Sequence, residues 1–342
     1  WPPQADRLAS LLARMVLNRC THAVMEAPVS AIASSQIAGA LYDTVCITNS
    51  ADDCAEVHGD DHNFAAHRIF RHLAPEGLAV VNADDPAAAE LLRHFDGPAL
   101  TVAIREPAEI SAVLLEQYPS EQTFLLTAGN EAAPVRTQMI GVHHVYNCLM
   151  AAAVGLAYGI DLVTIARGLE SVRQLPGRLE RIECGQPFAV FVDCATSPQA
   201  LRAALRTLRG VCQGRLICLL GAAGDEQRYV TPLWGAAADE FADVLIITGS
   251  SQADDAPRVD VEQILRGVRR RDRAVVIVDR RAAIHWALAQ ARPGDCVLLA
   301  GSRHGGYRVT SEQIAPLDDR AVARQWLYTV QPYCICNSGP WC

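Results

Sequence analysis

The sequence predicts an α/β protein of two domains, each built on a mainly parallel sheet. Three observations support this prediction. The chain has 342 residues, which is too long for one ordinary domain and suits two of roughly 150 residues each. Hydrophobic residues make up 50% of the chain and charged residues 20%, which is typical of a globular protein. In the second half, short apolar runs alternate with helical patterns, as they do in βαβ units.

The first half of the chain begins with a helix. Apolar side chains recur at helical spacing in residues 6–17. Short apolar runs then predict buried parallel strands at 23–25, 44–48 and 78–82, with a helix at 84–93. Four apolar segments separated by turn residues predict an antiparallel, strand-rich stretch over 98–140. Two further helices are predicted at 144–158 and 161–172.

Turn residues at 174–177 mark the predicted domain boundary, so we predict one domain over 1–175 and another over 176–330. In the second domain, predicted strands at 188–193, 215–220, 243–248, 274–278 and 295–300 alternate with predicted helices at 198–209, 232–241, 259–268 and 280–291. This alternation predicts a doubly wound, Rossmann-like sheet. Residues 331–342 are predicted to be a disordered tail, whose Cys334, Cys336 and Cys342 could bind a metal or become oxidised.

Charge and composition exclude several functions. The formal net charge is -8, so the field of the protein disfavours nucleic acid as a partner. All 30 basic residues are arginine, which excludes any mechanism that needs a lysine of this chain. We predict no membrane insertion, since no stretch is apolar enough to span a bilayer. The cysteines lie mostly in apolar patterns, as expected for a cytoplasmic protein.

Polar residues follow the predicted strands at five places. In open α/β sheets, ligands bind beyond the carboxyl ends of the strands. The sequence therefore predicts a ligand in a cleft between the two domains. The five polar clusters are Glu26, Thr48-Asn49, 82–85, Asp193 and 221–225.

The order of these clusters resembles the Mur ligase family, over about residues 5–328. Residues 25–26 resemble the start of M-E-V-S-S-H, and 82–85 resemble N-A-D-D. The other matches are Thr48-Asn49, Asp53 and His58-Gly59 to T-N-L-S-R-D-H-L-D-Y-H-G, Gly141 and Asn147 to G-x-F-N-x-x-N, 177–180 to G-R-M-E, 192–198 to V-D-Y-A-H-T-P, Gly224-Asp225 to G-C-G-G-D-R-D, and 300–304 to A-G-K-G-H-E.

The resemblance implies a P-loop-type central domain followed by a Rossmann-like C-terminal domain. The central domain is expected to be truncated, because the family's G-T-x-G-K-T loop would lie upstream of Trp1. The members that the chain resembles most add the third amino acid to UDP-N-acetylmuramoyl-dipeptide in peptidoglycan precursor synthesis. They phosphorylate a carboxylate with ATP and Mg²⁺, and an amine then attacks the acyl phosphate. The implied ligands are ATP, Mg²⁺ and a UDP-muramoyl-peptide.

Four site residues of the family are kept. Glu26 matches a Mg²⁺-binding glutamate, while Asn147, Arg178 and Asp193 match residues that contact the nucleotide. Other interpretations of the same residues stay open. Glu26 could be a solvated loop carboxylate, and Asn147 an amide buried on a helix. Arg178 could pair with Glu180 on a strand surface, and Asp193 could cap the following helix.

Several other motif positions differ from the family. Cys54 replaces the histidine of its D-H pair, and Arg68 replaces the lysine that is carbamoylated to bind a second Mg²⁺. A guanidinium forms no carbamate and brings positive charge to a metal position. We therefore predict no catalytic residue. Two hypotheses stay open: an active ligase, or an inactive paralogue that keeps nucleotide binding or acts as a scaffold for a protein partner. Further differences lie at Ser30, Ser34, Gln36, His144, 230–231, 250–253, Ser302 and Gly305.

Overall fold

A computed structural model of the chain describes residues 5–28, 31–32, 34–37, 39–49, 68–221, 231–248, 257–301, 307–309, 314–316 and 318–330. Some sequence predictions lie outside these residues, namely those for Ser30, 53–54, 58–59, 222–225, 230, 250–253, 302–305 and the tail 331–342. None of the helices in the described ranges has the length and apolarity needed to cross a membrane.

The first sheet contains six strands in chain order. Strands β1 to β4 pair in parallel. The connections 118–121 and 129–130 are too short for a parallel crossover, so β4 to β6 form two antiparallel hairpins. The strands are β1 (Tyr42–Ile47), β2 (Leu73–Asn82), β3 (Ala99–Ala103), β4 (Ile110–Gln117), β5 (Gln122–Ala128) and β6 (Glu131–Thr137).

These strands confirm the predictions near 44–48 and 78–82 and the strand-rich character of 98–140. Two expectations are wrong. Residues 23–25 form no strand, and Val24 is fully exposed, because so short an apolar run does not by itself define a buried strand. The antiparallel expectation fails for β3 and β4, whose residues Val102 and Ile110 pair in parallel. Turn residues show where a strand ends but not the direction of the next one.

The helices of the first half begin and end close to their predicted limits. Helix α2 follows β2 directly, and the Ala88 amide donates a 2.8 Å hydrogen bond to the Asp85 carboxylate, which caps the helix. Pro86 occupies the first turn, where its missing N–H is not needed. The elements are α1 (Ala5–Leu17), a 3₁₀ helix (Arg68–His72), α2 (Pro86–Leu92), α3 (Val142–Ala157) and α4 (Leu162–Ser171).

The second sheet has the order β11-β10-β9-β12-β8-β7. Its first five strands pair in parallel, and β7 pairs antiparallel with β8 at the edge. The strands are β7 (Glu180–Ile182), β8 (Ala189–Asp193), β9 (Leu216–Gly221), β10 (Val244–Thr248), β11 (Ala274–Val276) and β12 (Cys296–Ala300). The central strands are almost continuously apolar because helices cover both faces of the sheet.

Alternate residues of each strand enter two different cores. Phe191 packs with α5, α6 and α7 on one face, whereas Val190 and Val192 pack with α8 and α9 on the other. This arrangement confirms the predicted doubly wound α/β class. Strand β7, helix α9 and the antiparallel pair β13–β14 were not predicted. The remaining elements are α5 (Pro198–Val211), α6 (Thr231–Phe241), α7 (Pro257–Gly267), α8 (Arg280–Gln290), α9 (Asp319–Val330), β13 (Tyr307–Val309) and β14 (Ile314–Pro316).

The chain divides into two compact units. The first consists of Trp1–Val113, Phe124–Val135 and Val145–Gly168. The second consists of Leu114–Thr123, Arg136–His144 and Leu169–Cys342. The predicted domain ranges 1–175 and 176–330, and the cleft between the domains, stay predictions.

Candidate functional site

In the first unit, the 82–85 cluster ties together the carboxyl ends of neighbouring strands. The Asn82 side-chain amide donates a 3.0 Å hydrogen bond to the carbonyl of Thr48, just beyond β1. The Asn82 side-chain oxygen accepts a 3.0 Å hydrogen bond from the Asp84 amide. One side chain therefore fixes the end of β1 and the turn that follows β2.

Asp84 is the centre of this cluster. Its carboxylate accepts hydrogen bonds from the backbone amides of Ile104, Arg105 and Glu106, at 2.6, 3.0 and 2.8 Å. The Tyr146 hydroxyl donates a further bond of 2.6 Å to it. Partial burial raises the pKa of Asp84, but these donors together hold that pKa below its ordinary value. The carboxylate is thus fully used in holding the turn after β3 and helix α3.

The other predicted site residues of the first unit lie on different elements. Asn147 is exposed on α3, so its interpretation as a buried amide is wrong. Glu26 is exposed in residues 20–28, which form no helix or strand. Arg68 begins the 3₁₀ helix and is half-buried. The structure brings none of these three into the 82–85 cluster.

In the second unit, the loop 177–180 lies at the carboxyl end of β8. Gly177 has a φ of +63° and Leu179 a φ of +42°, a left-handed conformation that a leucine rarely adopts. Three hydrogen bonds hold the loop in place. The Gly177 amide donates to Glu180 at 3.0 Å, the Cys194 amide donates to the Gly177 carbonyl at 2.7 Å, and the Leu179 amide donates to Asp193 at 2.8 Å.

Asp193 is buried at the end of β8, with 5% of its surface exposed. Burial raises its pKa, while the amides of Leu179 and Ala195 and the charge of Arg178 act in the opposite direction. The helix that follows is capped by Ser197, whose hydroxyl accepts a 3.1 Å hydrogen bond from the Ala200 amide. The interpretation of Asp193 as the helix cap is therefore wrong.

Arg178 is exposed and lies between Gly177 and Leu179, whose amides are bound by carboxylates. Its guanidinium donates a 3.5 Å hydrogen bond to the Cys194 carbonyl. Among the described residues, no carboxylate forms an ion pair with it. The expected pairing with Glu180 is wrong, because Glu180 is buried and faces Arg320 and Arg324, at 3.3 and 3.6 Å. Arg178 thus presents an exposed guanidinium, whose charge also acts on the buried Asp193.

Two histidines at the start of α3 add uncharged surroundings. The rings of His143 and His144 lie 4.3 Å apart. Burial, His144 and Arg178 lower the pKa of His143 to about 3. Burial, together with the charge of Arg178, also lowers the pKa of His144 to about 4. A backbone interaction with Arg178 acts in the opposite direction. Both imidazoles are neutral at pH 7, so neither adds to the positive charge of Arg178.

Sequence reasoning did not single out Arg320 or the electrostatic role of the two histidines. Arg320 contacts Glu180 across 140 positions of sequence. No spacing or local motif signals such a contact. The histidine pair was visible only as a departure from the family pattern at His144.

Comparison with known sequences decides the family. The family model of the Mur ligase middle domain matches residues 3–155, and that of the Mur ligase glutamate ligase domain matches residues 177–303. The UDP-N-acetylmuramoyl-L-alanyl-D-glutamate–2,6-diaminopimelate ligase of Solibacter usitatus is 34% identical over 330 residues, which cover 95% of this chain and 67% of that protein. The chain belongs to the Mur ligase family.

Solved structures share the fold of this Mur ligase. A UDP-N-acetylmuramoyl-L-alanyl-D-glutamate–2,6-diaminopimelate ligase has a TM-score of 0.65 at 24% identity, over 97% of this chain and 69% of that one. The MurF ligase of Thermotoga maritima, solved in complex with ADP, has a TM-score of 0.64 at 17% identity, over 89% of this chain and 66% of that one. Both likenesses concern the fold.

The described donors of this Mur ligase do not make a complete Mg²⁺ site. Mg²⁺ takes oxygen ligands, chiefly carboxylates, phosphates and water. Glu26 offers one exposed carboxylate. Within the described ranges, no three His, Cys, Asp or Glu side chains lie close enough to hold a metal. If Arg68 matches the family's metal-binding lysine derivative, as the sequence predicts, it brings positive charge to that position.

Proposed function

We propose that this Mur ligase acts in the cytoplasm as an ATP-dependent ligase of peptidoglycan precursor synthesis. Its reaction would add the third amino acid to UDP-N-acetylmuramoyl-dipeptide. The proposal is supported by the identity with the Solibacter usitatus protein, whose name describes that addition with diaminopimelate. The amino acid added by this chain is left open, because the residues at 250–253 differ from the motif that selects diaminopimelate.

The proposed nucleotide site rests on one observation, the exposure of Arg178 on a fixed loop. Arg178 presents an exposed guanidinium from a loop that Asp193 and Glu180 hold through backbone amides. A fixed cation that forms no ion pair with any carboxylate in the described ranges attracts phosphate, which accepts two parallel hydrogen bonds from a guanidinium. In the proposed site, Arg178, Asp193 and Asn147 bind the nucleotide. Glu26 contributes to binding Mg²⁺.

A second candidate function is a paralogue that binds the nucleotide without ligating. One observation favours it. Arg68 occupies the position of the carbamoylated lysine, and the 342 residues include no lysine that could take over that role. Such a protein would keep the Arg178 site and act through a protein partner.

The deciding experiment measures binding and ligation separately on the gene product as the cell makes it. Calorimetry with Mg-ATP tests the site, and mass spectrometry of UDP-N-acetylmuramoyl-dipeptide incubated with ATP and a panel of amino acids tests ligation. The ligase proposal expects binding and a tripeptide product. Binding without product supports the paralogue, and no binding contradicts both. Arg178→Ala should weaken the binding of Mg-ATP strongly, whereas replacing Arg281, an exposed arginine on α8, by Ala should leave it unchanged.

A further inference from the structure

We propose that Arg320, acting through Glu180, is a positioning residue for the Arg178 guanidinium and thereby sets the affinity of the nucleotide site. The inference rests on the proposed function at Arg178. It assigns a role to helix α9, which follows the last long strand of the second sheet. Neither residue touches the ligand in this scheme. Both act by fixing the backbone from which Arg178 projects.

The first step of the relay is the contact between Glu180 and the loop. One carboxylate oxygen of Glu180, Oε2, accepts hydrogen bonds from the Gly177 amide at 3.0 Å and from Arg320 at 3.3 Å. The Glu180 side chain is 8% exposed, so water can satisfy little of its charge. A buried carboxylate of this kind is held in place by a neighbouring cation. Arg320 supplies that cation at the oxygen that holds Gly177.

The second step is the fixing of Arg320 itself. Its guanidinium makes two parallel hydrogen bonds to Asp318, each of 2.8 Å. The Arg320 amide donates a further 3.0 Å bond to the same carboxylate. This two-pronged geometry defines both the position and the plane of the guanidinium. Arg320 therefore presents its remaining donor to Glu180 from a fixed point on α9.

The third step is the effect on Arg178. The residues on both sides of it have positive φ angles, and each has its amide held by a carboxylate: Gly177 by Glu180 and Leu179 by Asp193. The left-handed Leu179 is strained, so the loop keeps its shape only while these bonds persist. Loss of Arg320 frees Glu180 to leave Gly177. A loosened loop makes ligand binding weaker, because Arg178 must be ordered at the moment of binding.

A mutant cycle read by calorimetry with Mg-ADP tests the relay. Arg320→Ala is expected to weaken binding about tenfold. In an Arg178→Ala background, titrated at millimolar Mg-ADP, the same change should have almost no further effect, since Arg320 acts through Arg178. Arg320→Lys, which keeps the charge but not the fork, should recover part of the loss. Arg324→Ala is the matched control, because Arg324 contacts Glu180 at the longer distance of 3.6 Å from the same helix.

Amide hydrogen exchange of 174–182 supplies a readout that does not depend on the nucleotide. Arg320→Ala should speed exchange there and leave β9 and β12 unchanged, which also shows that the variant folds. Unchanged Mg-ADP affinity in Arg320→Ala, or an equal loss in both backgrounds, overturns this inference and leaves the proposed function standing. No Mg-ADP binding by the unsubstituted chain overturns both.

Discussion

Asp84 and Asp193 hold backbone amides at the carboxyl ends of strands in two different sheets. Their surroundings shift the pKa of the two carboxylates in opposite directions. Three backbone amides and the Tyr146 hydroxyl favour the ionised form of Asp84 and lower its pKa. Burial opposes the ionised form of Asp193 and raises its pKa. The two histidines near Arg178 are likewise uncharged at pH 7, with pKa values of about 3 and about 4. The first region uses its carboxylate to hold the fold, whereas in the second the exposed Arg178 forms no ion pair with a described carboxylate.

The largest expected effect is the loss of stability on replacing Asp84. Asp84→Ala leaves four donors without their acceptor, and we expect the free energy of unfolding in urea to fall by about 4 kcal/mol. Asp85→Ala is the neighbouring control. It removes the cap of α2 and should cost only about 1 kcal/mol. Equal losses in the two variants would show that Asp84 does not hold this region together.

The contribution of Asp84 to the free energy of unfolding should decrease only as the pH falls. Its folded pKa lies below the unfolded value, so its stabilisation is complete above the ordinary pKa of 3.8 and is lost as pH falls through the folded pKa. The difference in unfolding free energy between the unsubstituted chain and Asp84→Ala should therefore shrink only in strong acid.

The second-largest expected effect is a loss of stability in acid, which tests whether His144 is buried in its neutral form. His144 is 1% exposed, and its pKa falls from 6.5 to about 4 on folding. The folded chain should thus lose about 3 kcal/mol of stability as pH falls from 6.5 to 4, since the unfolded chain takes up the proton first. Arg178 faces the same ring, and its charge adds to the effect of burial in lowering the pKa of His144.

His144→Leu should remove the His144 part of this acid loss. Among the described residues, neither ring nitrogen of His144 has a hydrogen-bond partner of good geometry, so an apolar side chain of similar size should keep the stability at pH 7. Urea unfolding at pH 7 and pH 5 measures both points. A variant that loses stability with acid as steeply as the unsubstituted chain would show that His144 is not buried in its neutral form.

The difference between the two regions also marks what sequence can predict. Apolar runs ending in polar residues correctly located Asn82–Asp85 and Asp193, because strand ends leave a local signature. The pKa directions of Asp84 and Asp193 had no such signature, since the partners of Asp84 lie 20 to 62 positions away. Burial of Asp193 likewise depends on the whole sheet. The predicted strand at 23–25 failed for a related reason, because the burial of a short run depends on distant neighbours.

The smallest expected effect on stability is a gain, whereas the effects above are losses. Asp193→Asn keeps an oxygen that can accept the Leu179 amide but removes a buried charge. The folded pKa of Asp193 lies above its unfolded value, so its contribution is complete below the unfolded pKa and is lost as pH rises through the folded pKa. At pH 7 the variant should therefore be more stable than the unsubstituted chain, by roughly 0.5 kcal/mol in urea unfolding. If Asp193 also serves the nucleotide site, the same variant should bind Mg-ADP more weakly while it resists urea better. A variant that loses both stability and affinity would show that the ionised Asp193 supports the fold as Asp84 does, and the contrast between the two regions would fail.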